Sequence, residues 1–346
     1  MTFVPRVVSF GRYRARVQHR LVRRLSVLVT LIAAASLLAA CTQAPSPPGS
    51  TTTAGVSTSV TTSASSTPSA TQTPTPTKTT AKPVPTKPVH VSLLEADGAT
   101  YGVGMPIIAW FNRAPTDAHA FAEATTVTVN GKAIDGRWYF EHTAHAGAAL
   151  EAHYRPLTYW PARAKIEMNL PVKGLSAGPG LSYDNSLTLS VSTGAAHILT
   201  VNAQTLRMTV VTDGKLIGTY PVSLGASNTP TARGTKVIME KGADISMSGP
   251  GYYDPHVQWT QRLTYGGEYL HSAPWNVANI GTRSTSNGCT NLRPADAKAL
   301  YDYLSIGDVV SFPNASGPQM QLGQGYGDWN VSWTNWLTGG VLKTGA

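Results

Sequence analysis

The sequence predicts a mainly β chain: a β-sandwich of about 100 residues, then a second β-rich region that carries one helix. Three observations point there. From Val89 onward, short segments alternate apolar and polar residues with period two. Asp213-Gly214 sits between two such segments and reads as a two-residue hairpin turn, and Asn130-Gly131 ends another as turn punctuation. Only Pro294 to Leu304 spaces its apolar residues as a helix does, with Ala297, Leu300, Tyr301 and Leu304 on one face and proline in the first turn.

Residues 1–40 come first and read as an export signal. They hold seven arginines and no acid, followed by an apolar run from Leu25 to Ala40 that is short and rich in small residues. The chain carries 27 basic and 18 acidic residues and a formal net charge of +9. Without the signal it is about +2, which removes the argument for a nucleic-acid partner. Leu38-Ala39-Ala40-Cys41 resembles the lipobox of bacterial lipoproteins. That resemblance implies cleavage before Cys41, lipidation of its sulfur, and anchoring to the outer face of the cell membrane; ordinary cleavage after small residues is the competing reading. Arg23-Arg24 hints at twin-arginine export.

After the lipidated Cys41, residues 42–88 are threonine, serine, proline and alanine, with Lys78, Lys82 and Lys87 as the charged members. Such a tract buries too little apolar surface to offset its chain entropy and is expected to act as a disordered tether facing the cell wall.

The sandwich is assigned to residues 89–194. Its strand-like runs are Ile107 to Phe111, Thr126 to Val129, Arg137 to Phe140, Ala164 to Met168 and Leu187 to Val191. His142-x-x-His145 has metal-pair spacing but no third ligand and no helix, so it reads as a polar loop. In residues 195–346 the runs restart with Arg207 to Thr212 and Lys215 to Tyr220, and continue at Thr235 to Met239, Glu268 to Leu270 and Asp308 to Phe312. The tail from Gly325 carries Trp329, Trp333 and Trp336, the composition of a packed brace.

With Cys41 assigned to the signal, Cys289 is the one thiol left, so it has no internal disulfide partner. His271 lies 18 positions upstream and Gly288 directly before it. Thiolate is the nucleophile, and a histidine can take the thiol proton and return one to a leaving amine. Glycine without Cβ lets backbone N–H groups turn toward a developing oxyanion. These residues support a cysteine acyl-transfer site, against a buried structural cysteine beside a turn histidine. Histidine before cysteine is the reverse of the papain order, and the Thr-Leu-x-Thr-Cys motif of a sortase is missing.

His271-Ser272-Ala273-Pro274-Trp275, Ser286-x-Gly288-Cys289-x-Asn291-Leu292, Gly307-Asp308-Val309-Val310 and Gly327-Asp328-Trp329-Asn330 together resemble the L,D-transpeptidase (YkuD-type) family, in its actinobacterial lipoprotein subgroup. Tyr101-Gly102-Val103-Gly104, Tyr154-Arg155-Pro156 and Tyr159-Trp160 resemble that subgroup's N-terminal immunoglobulin-like domain. The resemblance covers residues 89–346 and implies an immunoglobulin-like β-sandwich followed by a catalytic β-sandwich or barrel. It implies Cys289 as nucleophile, His271 as base oriented by the Ser272 carbonyl, and Gly288 and Cys289 amides as oxyanion donors. Tyr253 would be a lid over the cleft, Met247 and Trp275 would line it, and Ser286 and Asn291 would support the loop and contact substrate. Asn287 stands where the subgroup usually has histidine, so cationic help to the oxyanion is missing there. The implied reaction forms 3→3 cross-links between peptidoglycan tetrapeptide stems with release of D-alanine. It needs no cofactor and no metal, and carbapenems would acylate the same sulfur. An L,D-carboxypeptidase on the same fold and a catalytically silent tethered wall-binding module are the alternatives.

Overall fold

The computed structural model describes residues 86–249 and 251–345. The export signal, Cys41 and nearly all of the tether lie outside these residues. Lys87 and Pro88, which the sequence reading leaves in the tether, are instead in a strand: Lys87–Val89 pairs in parallel with Leu181–Tyr183. A two-stranded pairing tolerates a proline, which lacks the ladder donor a central strand needs.

Two sheets face each other in the first domain. One has five strands in the order Thr100–Tyr101, Leu187–Thr193, Lys165–Leu170, Thr126–Val129 and Lys132–Ala133. The other has four, in the order Val91–Leu93, Ile107–Phe111, Leu150–Pro156 and Gly136–Glu141. Between them Phe111, Phe121, Trp138 and Phe140 pack with ring centroids 5.2 to 5.9 Å apart. The anticipated hairpin turn at Asp213 and Gly214 forms with a left-handed backbone, φ of 48° and 78°, and the Asn130-Gly131 punctuation is a hairpin turn as well, at 50° and 76°.

Strand Ile107–Phe111 is covered on both faces. Ile107, Ala109 and Phe111 join the sandwich core, while Ile108, with Met105 of the same domain, packs against Val237 and Tyr326 of the neighbouring catalytic domain. Strand Leu150–Pro156, missed in the sequence, behaves likewise. Leu150, Ala152 and Tyr154 face the core, and Glu151, His153 and Arg155 are buried on the other side. What covers them is the C-terminal segment. Arg155 Cζ lies 4.8, 5.3 and 4.2 Å from the ring centroids of Trp329, Trp333 and Trp336. The indole N–H of Trp336 donates to Arg137 O at 2.9 Å, and that of Trp329 to Gly104 O at 2.8 Å. The tryptophan-rich tail is therefore a brace. The domains also meet directly at Gly102, whose N–H donates to Ile306 O at 2.7 Å; a Cβ there would lie 2.2 Å from the Asp308 nitrogen.

The second domain holds a five-stranded sheet in the order Lys215–Pro221, Arg207–Thr212, His197–Asn202, Val309–Phe312 and Gly234–Val237. A four-stranded sheet runs Glu240–Gly249, Tyr252–Arg262, Tyr269–Ser272 and Thr290–Leu292. The anticipated helix spans Pro294–Tyr303 and buries Ala297 and Leu300 in the core of this domain. His145 of the His-x-x-His loop stacks on Trp110 at 3.8 Å, consistent with a packed loop.

Candidate active site

Two neighbouring strands bring the histidine and cysteine loops together. Tyr269–Ser272 pairs in parallel with Thr290–Leu292, so Leu270 stands opposite Thr290 and His271 opposite Asn291. Cys289 is the residue just before that ladder begins. The resulting cleft has a volume of about 300 Å³ and is lined by His271, Cys289 and Asn291 on its floor. Met247, Tyr253, Trp275, Ser286 and Asn287 contribute to its walls. All the side chains anticipated for nucleophile, base and substrate contact therefore reach one cavity; Ser272 and Gly288 contribute backbone groups behind it.

His271 is buried and its Nδ1 lies 2.8 Å from Ser272 O. A carbonyl only accepts, so Nδ1 carries the proton and Nε2 presents a lone pair. Burial lowers the His271 pKa below its ordinary value, against the Ser272 contact and the Asp254 charge, which raise it. The ring is neutral at physiological pH. Trp275, more than half exposed, stacks on it with centroids 5.9 Å apart and an interplanar angle of 26°.

The thiol is neutral as well. Burial pushes the Cys289 pKa up to about 12, with the Glu268 charge adding to the rise and a Tyr269 backbone contact and Lys236 opposing it. Its Sγ lies 3.4 Å from Gly267 O and donates there. The resting pair is thus imidazole and thiol, and the thiol must turn from Gly267 to hand its proton to His271.

The loop holding the sulfur is pinned by hydroxyls. Ser286 Oγ donates to Cys289 O at 2.6 Å and accepts from Gly288 N at 3.2 Å. This differs from the anticipated role of Gly288: its amide is engaged by Ser286 rather than presented to an oxyanion. Glycine is required there for another reason, a φ of +108° that side-chain-bearing residues avoid. Thr229 Oγ1 donates to Ser286 O and Thr231 Oγ1 to Gly288 O, each at 2.9 Å. Neither threonine carries a sequence signal, since both contacts cross 57 residues.

Tyr253 stands at the tip of a long hairpin, Glu240–Gly249 paired with Tyr252–Arg262, and is 69% exposed. Met247 is buried on the facing strand, opposite Asp254. Tyr252, Asp254, Val257, Asn276 and Thr285 also line the cleft and escaped the sequence reading. So did a buried ion pair beside the nucleophile. Lys236 is fully buried, bonds Glu268 Oε2 and lies 4.1 Å from the Phe312 ring centroid, while Glu268 Oε1 accepts from Ala232 N at 2.7 Å. Asn287 sits on a divide: it lines the catalytic cleft and also a second cavity of about 390 Å³ with Glu268 and Gly288.

Comparison with known proteins agrees with this arrangement. A family model described as the L,D-transpeptidase catalytic domain matches residues 196–311, and one described as a bacterial Ig domain matches residues 35–176. L,D-transpeptidase 2 of Mycobacterium tuberculosis is 28% identical over 266 residues, covering 73% of this chain and 64% of the relative. L,D-transpeptidase 5 of the same species is 30% identical over 272 residues, covering 76% of this chain and 58% of the relative. The chain therefore spans less than two thirds of the length of these curated relatives. A solved structure of an L,D-transpeptidase in complex with imipenem superimposes with a TM-score of 0.54 at 26% identity, over 66% of this chain and 100% of that one. With its cysteine and histidine strands, its sandwich and these matches, the chain carries a YkuD-type L,D-transpeptidase catalytic domain preceded by a bacterial immunoglobulin-like domain.

Proposed function

We propose that this protein is a peptidoglycan L,D-transpeptidase that forms 3→3 cross-links through a Cys289 thioester. The observation carrying this reading is a buried thiol and a buried imidazole lining one cleft, the imidazole held through Nδ1 by Ser272 so that Nε2 is left to act as base.

The chemistry follows from that pairing. As Cys289 Sγ attacks the carbonyl joining the L-centre of a diamino acid to terminal D-alanine, His271 Nε2 takes the thiol proton. The tetrahedral intermediate collapses, the C–N bond breaks, and His271 returns the proton to the departing D-alanine amine. An amine of a neighbouring stem then attacks the thioester and loses a proton to His271. The sulfur leaves and is reprotonated. With the Gly288 amide engaged by Ser286, the backbone donor left beside the nucleophile is that of Cys289 itself, and each oxyanion donor is typically worth about 2.7–4 kcal/mol. Asn291, buried in the cleft, stands with its side-chain amide against His271 and also faces the substrate space. Charge plays little part in the cleft walls, where Asp254 is the one carboxylate and no lysine or arginine is present.

Lipidation of Cys41 would anchor the chain to the outer face of the cell membrane and let residues 42–88 carry the folded domains toward the wall. The relative bound to imipenem supports carbapenems as acylating inhibitors here as well.

Two measurements test the proposal. Incubated with a carbapenem, the purified chain should gain the mass of one ring-opened inhibitor, and Cys289→Ala should gain none; a folded wild type that stays unmodified overturns the enzyme reading and leaves a wall-binding module. Incubated with tetrapeptide muropeptides, it should yield 3→3 dimers, whereas tripeptide monomers alone would make it an L,D-carboxypeptidase.

A further inference from the structure

A second cluster of ionisable groups lies away from the cleft and shares no residue with it. In the sandwich, strands Gly136–Glu141 and Leu150–Pro156 pair so that Glu141 stands directly opposite Glu151, and His153 follows two residues on, on the same face of the sheet. Like charges directly opposite one another destabilise a sheet. Here both carboxylates are buried too, with side-chain exposures of 8% and 1%, and His153 at 1%.

Geometry gives each group a free ligand atom. His153 Nδ1 lies 2.7 Å from Asp328 Oδ1 of the C-terminal segment. A carboxylate accepts, so Nδ1 carries hydrogen and Nε2 points the other way, toward the two glutamates; burial lowers the His153 pKa, but Asp328, Glu151 and Glu141 together raise it well above its ordinary value, so a cation would take the place of a proton on Nε2. Nε2 is 3.5 Å from Glu141 Oε1 and 3.6 Å from Glu151 Oε1. Glu151 Oε2 is used by Thr143 Oγ1 at 2.6 Å, which leaves Oε1. Among the described residues, none of these three converging atoms has a hydrogen-bond partner within ordinary hydrogen-bond distance, although His153 and the Trp110 indole stand close enough to Glu151 to lower its pKa against the rise that burial causes.

The spacing matters. A protonated imidazole would draw a carboxylate in to about 2.7–2.9 Å. Ligands held about 2.0–2.2 Å from a tetrahedral cation stand about 3.3–3.6 Å from one another, because the edge of a tetrahedron is about 1.6 times its radius. Both separations from His153 Nε2 fall in the second range. All three ligand atoms lie within 4.8 Å of one another. The Asp328 carboxylate on the far ring nitrogen is the outer partner that metal-bound histidines usually have, fixing tautomer and ring orientation.

We propose that Glu141 Oε1, Glu151 Oε1 and His153 Nε2 bind one divalent transition-metal ion, zinc by donor set, at a structural site joining the sandwich to the C-terminal segment. An imidazole among carboxylates selects a transition metal over calcium or magnesium. Two glutamates offset the charge of the ion, and Arg155 lies near enough to Asp328 to interact with its charge. The site is closed to solvent, so loading would accompany folding. Asp328 passes the effect to the neighbouring Trp329 and the rest of the brace.

The test uses the full chain with Cys41→Ala and Cys289→Ala, which removes both thiols able to compete for zinc. Chelator-stripped protein is titrated with zinc chloride against a chromophoric competitor, with metal content read by mass spectrometry and the unfolding midpoint by calorimetry. One zinc per chain and a midpoint raised by about 5 °C or more at hundredfold saturation are expected. His153→Gln and Glu151→Gln should each lose both. Should those variants fail to fold, cobalt in the parent protein keeps the proposal testable: it should give the visible absorption of cobalt bound by nitrogen and oxygen donors, with no sulfur charge-transfer band. No stoichiometric zinc at micromolar free metal, zinc retained in folded His153→Gln, or stabilisation by calcium in place of zinc would each overturn it.

Discussion

His271→Gln tests the protonation states on which the mechanism depends. With the Cys289 pKa near 12, the thiolate fraction at pH 8 is about 10⁻⁴, against about a quarter for an unperturbed thiol. Wild type avoids this deficit because His271 Nε2 removes the proton during attack. Its carbapenem acylation rate should therefore be flat from pH 7 to 9 and fall only in acid, below pH 6.5, as the depressed His271 pKa is crossed and the base is lost. Glutamine keeps much of the volume but cannot act as a base. The variant must draw on preformed thiolate alone, so at pH 8 its rate should drop by about 10²–10⁴-fold, or about 3–5 kcal/mol of barrier. It should then climb about tenfold per pH unit between 7 and 10. The assay is the loss of carbapenem absorbance under single-turnover conditions, with the unfolding midpoint as a control for structure. A variant within tenfold of wild type and flat in pH would refute the base assignment. A wild-type rate that itself climbs tenfold per unit through pH 9 would refute general-base help.

Further expectations concern the loop, the lid and the brace. Gly288→Ala forces a Cβ-bearing residue to φ of +108°, a strain of about 1–3 kcal/mol; since the added Cβ would meet nothing closer than 3.6 Å, acylation should fall at least tenfold from backbone displacement, and an unchanged rate refutes that. Tyr253→Ala removes a side chain that is 69% exposed, so the unfolding midpoint should stay within about 2 °C while KM for the donor stem rises several-fold; an unchanged KM would deny Tyr253 a substrate role. Trp336→Ala removes a fully buried indole that bonds Arg137 O and lies over Arg155. It should cost about 3–5 kcal/mol and lower the calorimetric midpoint by about 10 °C, and a drop under 2 °C would mean that the tail is not a brace.

Much of this molecule was legible in the amino-acid order, because its signals are local. Asn130-Gly131 and Asp213-Gly214 specify left-handed turns within two residues, and the alternation in Thr126–Val129 or Arg207–Thr212 specifies a half-buried strand. Cys289 and His271 stood out by chemistry, since an unpaired thiol after a nearby histidine has few idle explanations. Strand Leu150–Pro156 was not legible. Its charged residues Glu151, His153 and Arg155 alternate with apolar ones as on a solvated face, and only the C-terminal segment, folding back from Asp328 to Trp336, buries that face. The same holds for the Lys236–Glu268 pair beside the sulfur and the threonines that pin the cysteine loop, whose partners are 32 and 57 residues away in sequence. Tertiary structure alone also decided the state of the thiol. The residues name a cysteine and a histidine, but desolvation on all sides is what keeps one protonated and the other neutral, and so makes proton transfer part of the attack.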